Sequence, residues 1–117
     1  MSLERVLKTL ESFGFSKVGA EVYVYLAKRG PKEGKDLAIA MKLPKNQLYH
    51  ILATLQKKGF VYTNTESPAL FSALAFERLL DMMIELKDEE AQVTRDRRKE
   101  LLSSWRAITR NKKQADT

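Results

Sequence analysis

Apolar residues recur at helical spacing in four successive segments, and the spacing changes after Gly59. Leu3, Val6, Leu7 and Leu10 form the first stripe, with Ser2 available as a cap and Gly14 as a terminator between Phe13 and Phe15. Ser16 caps a second predicted helix that runs to about Arg29, with Ala20, Tyr23, Leu26 and Ala27 inward and Gly30-Pro31 as its stop. The third, about Glu33 to Met41, turns Leu37, Ala38 and Met41 inward and is followed by a tight connection, Met41-Lys42-Leu43. The fourth runs from Pro44 to Gly59, a proline suited to a first turn and a glycine suited to the residue after the last. Its Leu48, Ile51, Leu52 and Leu55 stand at i, i+3, i+4 and i+7 and so share one stripe. Burying four such side chains is worth roughly 6–12 kcal/mol as an upper estimate, so this helix must pack on a domain.

The opposite face of the fourth helix carries Asn46, His50, Ala53 and Lys57, flanked by Gln47, Tyr49 and Thr54. Such groups can hydrogen-bond base edges or phosphates. Two short helices joined by three or four residues, the second polar on its outer face, make a helix-turn-helix. Beyond Gly59, Phe60 to Thr63 and Ala69 to Ala73 are rich in β-formers and flank Asn64-Thr65-Glu66-Ser67-Pro68, which reads as a hairpin and its turn. The predicted fold is mainly α with a small β-hairpin, a winged helix-turn-helix over residues 1–75. From Phe76 a last helix runs without Gly or Pro to about Arg110, about 52 Å at 1.5 Å per residue. A domain of this size cannot cover that length, so residues 76–110 read as a coiled-coil-like dimerisation helix and 111–117 as a frayed tail.

Charge sharpens the expectation. The chain of 117 residues has a formal net charge of +6. Residues 1–75 hold 11 Lys and Arg against 6 Asp and Glu, while residues 76–117 hold 10 against 9, so the basic excess lies in the first two-thirds. A polyanionic partner fits that field. The chain has no cysteine and one histidine, which leaves no disulfide and no thiolate metal site and disfavours thiol or Ser-His catalysis. It shows no phosphate-binding glycine loop, so neither an enzyme nor a cofactor is expected. No apolar run approaches the ~20 residues needed to span a bilayer, and Met1 to Arg5 does not resemble a signal peptide. A cytoplasmic protein with no membrane partner is the expectation.

The order of elements resembles the TrmB family of winged-helix transcriptional regulators, which are mostly archaeal. The matching residues are Phe15-Ser16 with Ala20 and Tyr23, Gly30-Pro31, Leu37-Ala38, Leu43-Pro44 with Leu48-Tyr49 and Leu52, and Leu55 to Val61, within about residues 10–90. The resemblance implies that the helix from Pro44 enters the major groove of double-stranded DNA, that the hairpin is the wing, and that the molecule is a homodimer. Many members carry a large C-terminal sugar-binding domain, for which this sequence has no room. It reads as a short form or a fragment, and sugar sensing is not carried over. Three departures matter: Gly19 stands where a glutamate is usual, Lys42 where a glycine is common, and Thr63 to Ser72 holds Glu66 but no Lys or Arg.

Candidate DNA-binding residues are Lys45, Asn46 and Gln47 in the first turn, then Tyr49, His50, Thr54 and Lys57, with Lys32 and Lys35 as phosphate contacts from the preceding helix. In the wing, Thr63, Asn64, Thr65 and Ser67 can offer hydroxyl, amide and backbone N–H groups. Dimerisation is expected through Met83, Leu86, Val93, Arg97, Leu101, Trp105 and Ile108, part of a heptad-like seam that also holds Glu90. In a parallel pair Glu90 and Arg97 would each face its own like, whereas an antiparallel pair crossing near Val93 sets Asp88, Glu89 and Glu90 opposite Arg98, Arg97 and Asp96, two of the three matches being of opposite sign. The predicted function is a sequence-specific DNA-binding transcriptional regulator. The rival from another class is a winged helix used as a protein-docking module of a transcription or chromatin assembly. A third, a repressor with a small-molecule effector between subunits, has only Met82, Met83 and Trp105 to recommend it.

Overall fold

Backbone donors and acceptors at the helix ends set the path of the chain. The computed structural model describes residues 2–116, with side chains over 2–110. Its elements are α1 (Leu3–Ser12), α2 (Lys17–Arg29), β1 (Lys32–Glu33), α3 (Gly34–Met41), α4 (Lys45–Lys57), β2 (Val61–Thr63), β3 (Leu70–Ala73) and α5 (Phe76–Asp116). They divide into two units, residues 1–80 and 81–117.

In the first unit, α2 starts where Ser16 Oγ accepts from the Gly19 N–H at 2.9 Å, a cap of the expected kind. Ser2 occupies the corresponding place before α1 but makes no side-chain cap bond, because its own backbone is already helical (φ −100°, ψ −10°). The ends of α3 and α4 are alike. At α4, Phe60 N–H donates to Leu55 O at 2.9 Å and Gly59 N–H to Gln56 O at 3.0 Å; at α3, Leu43 N–H donates to Ala38 O at 3.0 Å and Lys42 N–H to Ile39 O at 3.2 Å. Both endings need a left-handed residue, which Gly59 supplies freely at φ +83° and Lys42 supplies with a side chain at φ +56°.

The inward face of α2 differs from the expectation at Val22 and Ala27. Val22 is buried and Ala27 exposed, because the stripe runs through Gly19, Val22, Tyr23 and Leu26 rather than continuing to the C-terminal turn. The sheet differs too: β1, absent from the sequence reading, adds to the hairpin in the antiparallel order β1-β3-β2. Lys32 pairs with Phe71 and Glu33 with Leu70, while Val61, Tyr62 and Thr63 pair with Ala73, Ser72 and Phe71. The third helix therefore begins at Gly34, after two extended residues.

Leu10, Leu26, Leu37, Leu48, Leu52 and Leu79 are essentially inaccessible and form the heart of the first unit. Phe15 stacks on Phe60 at 4.7 Å between ring centroids and meets Tyr23 edge-on at 5.8 Å. The Tyr23 hydroxyl donates to Leu74 O, tying α2 to the residue after β3, and burial pushes its phenol up to about 12.

In the second unit, α5 is helical to Asp116, and the tail expected at 111–117 lies outside the residues whose side chains are described. Leu86, Val93, Leu101, Trp105 and Ile108 are exposed along it. Met83, expected among the dimerisation residues, is only 5% exposed in the single chain and offers no free surface. Within the helix, Gln92 donates to Asp96 at 2.7 Å and accepts from Arg95 at 3.0 Å.

Candidate nucleic-acid interface

Leu48, Leu52 and Leu55 are buried and Ile51 half-buried, which fixes the rotation of α4 and turns its other side outward. Lys45, Asn46, Gln47, His50, Thr54 and Lys57 all lie exposed there. Pro44 occupies the N-cap, extended at φ −61° and ψ 144°, so the first helical turn is Lys45, Asn46 and Gln47 themselves. Asn46 Oδ1 accepts from the Gln47 N–H at 2.9 Å, which leaves the Asn46 amide hydrogens free to point outward. The Thr54 hydroxyl donates to His50 O at 3.1 Å and keeps only its lone pairs for another partner.

Tyr49 sits at the border of the two faces. Its ring meets Phe71 edge-on at 6.1 Å and lies against Gly34, where a side chain would begin 2.6 Å from Tyr49 Cζ. Gly34 thus lets α4 approach the start of α3, and Tyr49, with nearly half its surface exposed, is first a packing residue. Lys32 is half-buried on β1, while the exposed Lys35 lies 3.5 Å from Glu33, a pair that offsets part of its charge.

In the hairpin, Thr63, Asn64, Thr65 and Ser67 are exposed. Asn64 has a structural task there. Its Oδ1 accepts from Leu70 N–H at 3.1 Å and its own N–H donates to Leu70 O at 3.3 Å, closing the loop from both sides. That commitment removes Asn64 oxygen from the set of free contacts. The Thr63 hydroxyl donates locally to Asn64 O at 3.3 Å.

Three features escaped the sequence reading. Ile39 is 76% exposed on α3, and it lies on a shallow apolar surface bordered by Lys35, Lys42 and Lys45. The signal was present, since Ile39 falls off the stripe of Leu37, Ala38 and Met41. In the sequence Lys42 reads only as a turn residue, yet the turn between the two helices leaves it exposed. Tyr62 is exposed on β2 at the pairing position opposite Ser72. Among the described residues no group of acidic or histidine side chains is placed to hold a metal ion, and no helix is long and apolar enough to cross a membrane.

Residues 10–77, more than half of the chain, match the family described as "Sugar-specific transcriptional regulator TrmB". The HTH-type sugar sensing transcriptional regulator TrmBL1 of Pyrococcus furiosus is 30% identical over 82 residues, which are 70% of this chain and 24% of that protein. Among solved structures, TrmBL2, described as an archaeal chromatin protein with a novel mode of DNA binding, superposes with a TM-score of 0.70 at 27% identity. That match covers 88% of this chain and 42% of the other. A protein from Sulfolobus tokodaii superposes with a TM-score of 0.66 at 16% identity, over 80% of this chain and 99% of the other, a likeness of fold alone. The chain spans about a quarter of the length of the curated relative and under half of the solved one. This family and this fold are those of transcription regulators, not enzymes. From the extent of the family match over the winged helix, the chain belongs to the TrmB family of transcriptional regulators.

Proposed function

We propose that the chain is a cytoplasmic, homodimeric transcriptional regulator that binds double-stranded DNA sequence-specifically, with the start of α4 in the major groove. The observation that carries this reading is the outward face of α4. A helix locked by Leu48, Leu52 and Leu55 presents Lys45, Asn46, Gln47 and His50 together, uncovered by the rest of the first unit. Asn46 and Gln47 bear the amides suited to base edges, whereas Lys45, Lys42 and Lys57 suit phosphate. Thr65 and Ser67 add wing contacts without charge. The description of TrmBL2 as a DNA-binding chromatin protein supports DNA as the partner and raises the alternative of binding without sequence preference.

Asn46→Ala and Gln47→Ala distinguish the two. Under the sequence-specific reading they lower the preference for a selected site over random duplex more than they lower overall affinity, as base contacts specify and phosphate contacts position. Equal loss on both duplexes, measured by titration at fixed salt, removes α4 from the groove. Lys45→Ala should flatten the salt dependence, whose log–log slope is roughly −0.9 per phosphate contacted.

The protein-docking reading has its own observations, the apolar surface around Ile39 and a wing that lacks cations. No duplex shift at micromolar protein in low salt would favour it.

Dimerisation through α5 is supported by Leu86, Val93, Leu101, Trp105 and Ile108, exposed at near-heptad spacing. Antiparallel crossing near Val93 sets Asp88 and Glu89 opposite the Arg98 and Arg97 of a second copy and predicts a pseudo-palindromic or divided operator. Because the chain has no native cysteine, the arrangement is testable by cross-linking. Met82→Cys on one chain should join Ser104→Cys on a differently tagged chain. Ready joining of Met82→Cys to itself would show a parallel pair instead.

A further inference from the structure

A second feature of the first unit lies beside α4 rather than on its outward face. Between the turn before α2 and the flank of α4 is a cavity of 290 Å³, near the lower bound of ordinary small-ligand pockets, roughly 300 Å³. It exists because position 19 has no side chain. A Cβ there would start 2.9 Å from Ser16 Oγ and within 4 Å of Ile51 and Leu55, so any larger residue would reach into the space.

The walls divide by chemistry. Phe15, Ile51, Leu55 and Phe60 supply an apolar floor, held rigid by the Phe15–Phe60 stack. Ser16, His50, Thr54 and Lys58 supply the polar rim, and no acidic side chain lines the cavity. Ser16 Oγ accepts from Gly19 N–H, so its own hydrogen is free to donate. Lys58 Nζ stands over the turn, 3.7 Å from where a side chain on Gly14 would begin. An apolar floor beneath an ammonium and a hydroxyl donor, with no carboxylate to repel an anion, matches one ligand class.

We propose that this cavity binds a small organic carboxylate with a compact apolar body, its carboxylate on Lys58 and Ser16 and its body over Phe15, Phe60, Ile51 and Leu55. His50 and Thr54 belong both to this rim and to the exposed face of α4. Occupancy therefore touches the proposed reading helix directly and lowers duplex affinity. That coupling rests on the DNA-binding reading above; the site itself does not.

The test uses the full chain labelled with nitrogen-15, titrated with benzoate, with uncharged benzamide and with benzylamine. Benzoate should shift the amide signals of Gly14, Gly19 and His50 saturably in the millimolar range, benzamide more weakly and benzylamine not at all. Gly19→Gln should abolish these shifts, since its side chain enters the cavity beside Ser16, Ile51 and Leu55. Lys58→Met should weaken benzoate about tenfold and leave benzamide unchanged, the effect of losing one charge-assisted hydrogen bond. Shifts that do not saturate, that survive Gly19→Gln, or that are equal for benzoate and benzamide overturn the site. In a parallel duplex titration, benzoate should weaken binding by the parent chain and not by Gly19→Gln. Saturable benzoate binding with unaltered duplex affinity overturns the coupling, and absence of any duplex binding overturns the DNA reading while the amide shifts still decide the site.

Discussion

Leu48 and Leu52 on α4 and Leu101 and Ile108 on α5 sit in similar helical patterns, yet the first pair is at most 1% exposed and the second more than half exposed. The difference lies in what each helix has to pack on. In the first unit, α2, α3 and the sheet give α4 a place to bury its stripe. The described residues of the second unit form one helix, and a single helix cannot bury a stripe against itself. Its exposed apolar residues, which exclude Met83, are therefore a request for a second surface, whereas the uncovered first turn of α4 is polar. Exposed apolar side chains point to association with protein, and exposed amides and cations to a polar, charged partner.

The largest effect that sharpens this contrast is a core truncation. Leu52→Ala should destabilise the first unit by about 2–5 kcal/mol in denaturant titration, a large share of the 5–15 kcal/mol typical of a domain. Leu101→Ala removes the same group from a solvated position. It should leave unfolding of dilute protein unchanged within about 0.5 kcal/mol and act instead on the concentration dependence of sedimentation or scattering. Equal losses in dilute protein would mean that the exposed stripe is already covered.

A pH experiment probes the first unit alone. The Tyr23 phenol is raised from 10.0 to about 12 by burial, so the folded state holds its proton over a range where the unfolded chain has released it. The associated stability is fully present below about pH 10 and is lost as pH rises toward about 12, up to about 2–3 kcal/mol for two units. Tyr23→Phe cannot titrate and should flatten that alkaline loss. It also forfeits the bond to Leu74 O, about 1 kcal/mol at neutral pH. A parent and variant with identical alkaline slopes would show that Tyr23 is not the group responsible.

Much of this arrangement was legible because the informative residues are local. Ser16, Gly30, Gly59 and the Leu48 to Leu55 stripe act through bonds and contacts a few positions away, and α2 and α4 end within about a residue of the expected places. The strand β1 was not legible, for Lys32 and Glu33 have no periodicity of their own and become a strand only because β3, nearly forty residues later, offers them partners. Ala27 and Val22 exchanged places for a similar reason, as the inward limit of α2 depends on which neighbours reach it. On the interface, the exposure of the first turn of α4 followed from its stripe. The commitment of Asn64 to the hairpin needed Leu70 brought beside it, and the cavity beside Gly19 needed α4 laid across the turn before α2.

The smallest effect concerns the turn between α3 and α4, where a matched pair of helix ends is already present in the molecule. Gly59 and Lys42 close their helices with the same two backbone bonds and both adopt positive φ, but only Lys42 carries a Cβ into that region. Lys42→Gly should relieve about 1 kcal/mol of backbone strain and return part of it through the extra freedom of glycine in the unfolded chain. The net gain expected in denaturant titration is a few tenths of a kcal/mol. The α3 end would then match the α4 end in residue as well as in geometry. The same variant removes an exposed cation from the surface it shares with Lys35 and Lys45. If the turn faces phosphate, the stabilised variant should bind duplex DNA more weakly and with a log–log salt slope reduced by about 0.9. Higher stability with unaltered duplex affinity would leave Lys42 as a structural turn residue and move the phosphate contacts to Lys45 and Lys57.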